Sequence, residues 1–461
     1  MNITELQKEL DRCAKCGQCR SVCPVFLALK DETLVARGRM AIIQARSVAL
    51  SLRGSPTGTT EAISNQTGLP RSSDVTSDSL APMLTSGAPR IPSGHRDAMT
   101  QEADSSLYTK ILHTCLMCRR CEENCPSLVE TGAVFKSERR RIADEKGLPL
   151  LLRLGFIWVL PNRWIYNSVM RLTSLVSRLF SRSRAPVRHL PLYFANLFQR
   201  MPRLAPRSAL EIYTRSTLHA LRSTPVTIFL GCAANYIYPE IIEALTSILD
   251  QLKIPYVIPQ EQVCCGMPAL LSGDEQSADK LGRINQEIFK TETVITVCPT
   301  CNRMLAEEYE LKGVRVMDAF EFLNEVSNFQ LLTSNIQTRT AYHQPCHSAG
   351  TKAPEIIKAF LKASTDYQEI DDVCCGGGGL FTFKYPELSD MIGQRRMETL
   401  LLPETSNMKP VTFYVVTNCP GCMMQLEYLL SSGKQGIRVR HILNLITDAH
   451  KTGCPVPHTQ E

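Results

Sequence analysis

Two stretches of this chain repeat one cysteine spacing: Cys13, Cys16, Cys19 and Cys23-Pro24, then Cys115, Cys118, Cys121 and Cys125-Pro126. Each is C-x2-C-x2-C-x3-C-P, a spacing that holds [4Fe-4S] clusters through thiolates. Three cysteines at i, i+3 and i+6 can converge on one cubane from a tight loop. The fourth, followed by a proline that redirects the backbone, reaches to the other cluster. The spacing therefore predicts one cubane on Cys13, Cys16, Cys19 and Cys125, and a second on Cys115, Cys118, Cys121 and Cys23. A chain under this constraint must bring two distant loops together, and it carries electrons.

Other uses of the thiols fit less well. A zinc site usually takes two separated C-x2-C pairs and would not need the same triplet twice. The opening MNITELQKELDRC is a polar amphipathic run without an apolar signal core. Nineteen cysteines, an odd number, then suggest reduced, metal-bound thiols in a cytoplasmic setting.

At 461 residues, with 44% hydrophobic and 21% charged residues, the chain is long enough for two or three ordinary globular domains. Its formal charge of +6 counts cysteines as neutral. Each oxidised cluster with four thiolates brings about −2, so the loaded protein is nearly neutral. Nucleic acid is not an expected partner, and no zinc-finger or helix-turn-helix pattern argues otherwise. The longest apolar run, 148–160, is short and interrupted by Arg153 and Gly155, so a soluble or peripheral protein is expected.

Residues 1–147 read as the cluster domain, with a helix from about residue 35 to 50. Residues 53–105 are rich in Ser, Thr, Gly and Pro. They carry too little apolar side chain to offset ordering entropy, and read as a mobile surface insertion or a docking arm. Residues 148–223 read as a helical linker. Ile165, Val169, Leu172, Val176 and Leu179 recur at helical spacing, while Asn167, Arg171, Ser174 and Arg178 share another face. This predicts a helix packed on a neighbouring domain with a solvated basic side. A basic amphipathic helix on a membrane surface or a partner is the other reading.

From residue 224 strand and helix alternate, and the pattern repeats over 224–330 and 338–450, before a tail at 451–461. Strands are expected at 226–230, 256–258 and 293–297, then at 338–342 and 412–416. Each unit holds five cysteines in the order C, CC, C-x2-C: Cys232, Cys264, Cys265, Cys298 and Cys301, then Cys346, Cys374, Cys375, Cys419 and Cys422. Such a duplication argues for small, mainly parallel sheets. Groups at strand ends collect at one sheet edge, where each set of five could converge. Adjacent cysteines suit one tetrahedral zinc poorly but can bind different irons of one cluster. The Gly376–Gly379 run lacks Rossmann spacing, since Phe381 stands where a third glycine is needed. No flavin or nicotinamide fingerprint occurs elsewhere. Cys454 lies outside both sets and reads as a free thiol.

These features resemble the iron–sulfur subunit of glycolate oxidase. They are also similar to the third subunit of anaerobic glycerol-3-phosphate dehydrogenase and to the CCG subunits of heterodisulfide reductase. The matching pieces are Cys-Gly-Gln-Cys at 16–19, Arg37-Gly38-Arg39, Gly231-Cys232 and Cys264-Cys265-Gly266. Further pieces are the stretch from Tyr342 to His347, Cys374-Cys375-Gly376 and Cys419-Pro420-Gly421-Cys422. The resemblance implies an α/β protein: a helical two-cluster ferredoxin-like domain followed by a duplicated α/β CCG domain. From heterodisulfide reductase it also implies one or two further, non-cubane [4Fe-4S] clusters on the two five-cysteine sets. Both sets are complete, whereas the C-terminal C-x2-C positions of the glycolate oxidase family are often incomplete, which raises the glycerol-3-phosphate-type and heterodisulfide-type resemblances; the long insertion departs from all three.

The function expected from this resemblance is electron transfer. An FAD-containing flavoprotein partner would oxidise a 2-hydroxy acid such as glycolate or lactate. This chain would pass the electrons toward quinone or another membrane-associated acceptor, from the cytoplasm or the inner face of the membrane. The alternatives are a glycerol-3-phosphate dehydrogenase-type subunit, a reductase acting on a disulfide, and a zinc-stapled scaffold. His343 and His347 flank Cys346 as hydrogen-bonding groups or ligands. Arg119 and Arg120, beside Cys118, would raise the potential of the nearby cluster above that near Gly17-Gln18.

Overall fold

A computed structural model of the chain describes residues 1–53, 96–180, 204–213, 224–309, 311–326, 336, 338–400, 413–431 and 436–451. Cys454 and most of the expected insertion, residues 54–95, lie outside them. The end of that segment is a helix: Arg96–His113 begins within it and buries Tyr108, Ile111 and Leu112. These apolar residues lie at or beyond the polar segment's edge, and their packing carries the helix back into it.

In the N-terminal domain, Ile3–Arg12 starts on a capping box between Asn2 and Glu5. Cys23 precedes the helix Pro24–Leu29, whose first-position proline has no N–H to leave unpaired. The helices Ala36–Arg53, Arg96–His113 and Thr131–Lys146 then close a core of Leu10, Met40, Ile43, Leu112, Val134 and Phe135. Two buried arginines fasten the second cysteine loop to this core. Arg39 donates to the Ile111 carbonyl at 2.9 Å, and Arg139 donates to the carbonyls of Leu112 and Cys115 at 2.9 and 2.6 Å.

The remainder is mixed α/β. Strands β1 (Val226–Phe229), β2 (Tyr256–Val257), β3 (Thr293–Thr296) and β4 (Arg315–Asp318) form a parallel sheet in the order β2-β1-β3-β4. Strands β5 (Arg339–Tyr342), β6 (Asp366–Tyr367), β7 (Phe413–Thr417) and β8 (Ile437–His441) repeat it as β6-β5-β7-β8. Buried residues such as Ile228, Ile241, Leu245 and Leu361 fill one core that spans both units, each contributing roughly 1.5–3 kcal/mol.

The units pack reciprocally. Helix Glu240–Gln251 of the first meets Ile442–Lys451 of the second, and Ala319–Val326 of the first meets Ala353–Ser364 of the second. In sequence position these are the same two elements exchanged, so the units are related by a pseudo-two-fold. Phe320 stacks edge-on against Phe360 across it, with ring centroids 5.5 Å apart.

The linker is helical as expected, with Leu150–Leu154 running into a π-turn at Gly155–Val159 and then into Arg163–Phe180. Its long helix is rotated relative to the expectation. Ser174 is buried and donates to the Leu204 carbonyl, Asn167 accepts from the Tyr236 hydroxyl at 2.6 Å, and Tyr166 stacks on Tyr236. Val169, Leu172 and Leu175 point away from the protein. The polar side of the helix finds specific hydrogen bonds on the first unit, and the apolar stripe is left uncovered.

Candidate metal centres

The strand order explains where the cysteines gather. In a sheet ordered 2-1-3-4 the connections diverge between β1 and β3, leaving a crevice at their carboxyl ends. Cys232 follows β1, and Cys298 and Cys301 open the helix after β3. Cys346, Cys419 and Cys422 hold the same places after β5 and β7. The Cys264-Cys265 and Cys374-Cys375 pairs enter on loops just before helices, and all four are buried.

Each five-cysteine set converges. The thiols of Cys232, Cys264, Cys265, Cys301 and Cys298 follow one another as interacting neighbours. In the second set Cys374 contacts Cys375, and the Cys375 and Cys422 sulfurs lie 3.5 Å apart. Backbone N–H groups point at the sulfurs, from Gly376 to Cys374, Gly377 to Cys375 and Cys422 to Cys419, each at 3.4 Å. Such donors stabilise thiolate charge. Gly231, at φ +72°, keeps the first set open, because a Cβ there would lie 2.7 Å from the Cys301 sulfur.

The N-terminal cysteines also divide into two groups. Cys13, Cys16, Cys19 and Cys125 line one cavity together with Cys121. Cys23, Cys115, Cys118 and Cys121 form a second neighbourhood, in which Cys23, Cys118 and Cys121 each lie close enough to Cys115 to feel its charge. Burial is the largest cause raising the Cys23 and Cys118 thiols above their ordinary pKa. Around the second group lie Arg39 and Arg139. They donate to carbonyls and Thr114, none pairs with a carboxylate among the described residues, and each sits close enough to Cys23 or Cys115 to interact electrostatically. Two buried cations without carboxylate partners call for a local anion, and a thiolate-bound iron–sulfur cluster fits that demand. All eighteen described cysteines are free of disulfides.

The four groups adjoin one another in a row. Cys118 packs with Cys23 on one side and with Cys346 and Cys374 on the other. At the pseudo-two-fold, the Cys298 thiol of the first unit lies close enough to Cys419 of the second for the two to interact. The residues just before these two cysteines are braced across the same axis. Asn418 donates to the buried Asp318 at 3.0 Å, and His441 Nε2 lies 3.2 Å from the Val297 carbonyl. Asp318 and His441 end β4 and β8, so each unit's last strand holds the other's C-x2-C. Burial pushes the Asp318 carboxyl up to about 7. Sequence reading missed this brace; the aligned endings of the two units, Asp318 with His441 and Val297 with Asn418, were the signal available.

The two histidines separate by environment. His347 is a hydrogen-bonding group: Nδ1 lies 2.9 Å from the Thr300 hydroxyl and Nε2 lies 3.4 Å from the Met117 carbonyl. A carbonyl only accepts, so Nε2 carries the proton and Nδ1 accepts from Thr300. Burial lowers its pKa to about 4, which keeps it neutral. His343 is also buried, and its ring lies with the Cys375 and Cys422 sulfurs in a group whose ligand atoms all fall within 4.8 Å. Arg119 and Arg120 are not free positive charges. Arg120 is paired with Asp372 at 2.7 Å, and Arg119 with Glu122 and with Glu307. They clamp the cluster domain to the two units.

The ends of the row differ. Cys16 is exposed at the N-terminal end. At the other end Cys232 and Cys264 line a cavity walled by Arg163, Tyr166, Asn235 and Tyr236, directly beneath the linker helix.

Comparison with known proteins agrees with this layout. Residues 226–306 and 340–427 each match the cysteine-rich domain family CCG. The probable glycolate oxidase iron–sulfur subunit of Bacillus subtilis is 23% identical, over 96% of this chain and 95% of that one. Lactate utilization protein A 1 of Bacillus mycoides is 25% identical over 50% of this chain and 98% of its own. A fumarate reductase (CoM/CoB) subunit of Methanothermobacter marburgensis is 28% identical over 48% of this chain. The chain spans about half the length of such archaeal relatives, 46% of this one. By these matches the chain carries the cysteine-rich CCG domain twice and is similar over nearly its whole length to a glycolate oxidase iron–sulfur subunit.

Proposed function

We propose that the chain is the electron-transfer subunit of a flavoprotein-linked 2-hydroxy acid dehydrogenase, of the glycolate or lactate oxidising kind. The observation that carries this reading is the unbroken row of four thiol groups, from exposed Cys16 to the cavity at Cys232. Iron–sulfur clusters on these groups would supply one-electron redox chemistry. Cys13, Cys16, Cys19 and Cys125 would hold one, and Cys115, Cys118, Cys121 and Cys23 a second. Each CCG unit would hold a further one on its five cysteines. The chain's own residues bury most of the thiols, supply N–H donors to the sulfurs, and fix the spacing through Arg120, Arg139 and the Asp318–Asn418 brace. Substrate oxidation falls to an FAD-containing partner, with quinone or another acceptor downstream.

The test is anaerobic purification from the native cell, identification of the co-purifying flavoprotein, and addition of glycolate or lactate. Bleaching of the cluster absorbance by substrate, dependent on the partner, is expected. A colourless, zinc-loaded chain would end the redox reading.

The Cys298–Cys419 contact favours a second reading, a reductase acting on a disulfide held between the two five-cysteine sets. Disulfide reduction by the purified chain alone, with a dye as donor, selects it over the first.

A further inference from the structure

We infer that the linker hairpin is a docking face for an anionic lipid bilayer. Its outward side chains are large and apolar: Leu151 is 85% exposed, Trp158 61%, Trp164 78%, Leu172 64% and Leu175 57%. Trp158 and Trp164 are the chain's only two tryptophans. The opposite sides of both elements are already committed. Leu152 and Phe156 pack into the core beside Cys265 and Met267, and Tyr166, Asn167 and Ser174 contact the first CCG unit and the segment before it. The apolar side therefore has no cover within the described residues.

Charge identifies what covers it. Between Glu145 and Glu211 the sequence contains no Asp or Glu, yet it holds ten arginines and one lysine. Arg153 and Arg171 are exposed on the hairpin itself, Arg171 within an ion pair to Glu211 at 2.7 Å. Leu and Trp flanked by Arg, with no acid, is the composition of a helix that lies in the plane of a bilayer surface. Anionic headgroups attract such a run within a Debye length. The geometry is that of lying on the surface, because no helix among the described residues is long and apolar enough to cross a membrane. A protein partner could bury the same leucines, but it would leave the acid-free run unexplained unless it were itself strongly acidic.

Docking in this way has a consequence for the row of cysteines. Arg163 and Tyr166 stand on the docking helix and wall the cavity at Cys232 and Cys264. The first CCG set would then lie about one helix diameter, roughly 10 Å, from the lipid. An acceptor dissolved in the bilayer would meet that end of the row first. The docking itself does not depend on the 2-hydroxy acid reading.

The two tryptophans make the test specific, since all tryptophan fluorescence comes from this face. The full chain, purified anaerobically, is mixed with vesicles of phosphatidylcholine alone or of phosphatidylcholine and phosphatidylglycerol in equal parts. A blue shift, quenching by brominated lipid and co-sedimentation are expected with phosphatidylglycerol, and all should weaken as salt is raised. The double variant Leu172→Glu and Leu175→Glu changes only exposed side chains. It should keep the visible spectrum and bind at least about tenfold less. No shift with anionic vesicles, or binding indifferent to phosphatidylglycerol or to the double variant, would overturn the inference. A shift produced by the flavoprotein partner but not by lipid would also overturn it, marking the face as a protein interface.

Discussion

The two CCG units are built alike and placed differently. Each has a four-stranded parallel sheet in the same order, five cysteines at its carboxyl edge, and a last strand that braces the other's C-x2-C. Their outer neighbours differ. The first carries Leu230-Gly231 before its leading cysteine and opens into a cavity under the linker helix. The second carries His343 in the place of Leu230 and presses Cys346 and Cys374 against Cys118. Duplication alone yields a symmetric pair with no preferred direction. The asymmetry comes from what packs at each end, and on the proposed electron-transfer reading it would give charge flow a direction.

The strongest way to break this comparison is to empty one unit. Replacing Cys374 and Cys375 by Ala should remove about four irons per chain and leave the signal of the first unit, with Cys264→Ala and Cys265→Ala giving the mirror result. Iron analysis with EPR on the reduced protein checks it; simultaneous loss of both signals would make the two sets one cofactor.

Next in size is the brace. Asp318, raised by burial to about 7, keeps its proton in the folded state over a range where the unfolded carboxyl, near 3.8, has lost it. The folded state binds more protons, so stability falls as pH rises from about 4 to about 7, by on the order of 4 kcal/mol. Asp318→Asn should flatten that slope in denaturant titrations, whereas an unchanged slope would show that the carboxyl titrates normally. His441 ends the equivalent strand, and its pKa is lowered by burial to about 4.

A smaller effect separates the units at their leading cysteines. His343→Leu gives the second unit the residue of the first. If the imidazole supports the second set, chelator should strip iron from that set about ten- to a hundredfold more readily. Equal stripping rates would reduce His343 to packing.

The smallest effect concerns the clamp to the cluster domain. Because Arg120 is paired with Asp372, removing both charges together, Arg120→Gln with Asp372→Asn, should move the neighbouring potential by no more than about 1 kcal/mol, roughly 40 mV. A larger shift in a redox titration would mean that the pair does not neutralise the guanidinium.

The site was more legible in the sequence than the fold around it. Cysteine spacing carries its own geometry, so eighteen thiols could be sorted into four groups before any helix was placed, and the structure sets the members of each group near one another. The strands β4, β6 and β8 were not read, for physical reasons. Tyr367 and Asp366 make a strand of two residues, and Ile437–His441 alternates Val439 with arginines as an edge strand does. The linker helix shows a different limit. Its 3.6-residue stripe was visible, but periodicity marks two faces without saying which is covered. Asn167 and Ser174 won the inner side through hydrogen bonds that exist only once Tyr236 and Leu204 are in place.

The Cys298–Cys419 contact has one further consequence. It sets a thiol of one five-cysteine group directly beside a thiol of the other. If each unit holds a cluster, as proposed, charge added to one is felt by the other at low dielectric, and the first electron taken up makes the second harder to add. The halves would then have no separate midpoints: with a cluster on each they would titrate with two macroscopic potentials that belong to the pair, spread wider than either unit would show alone.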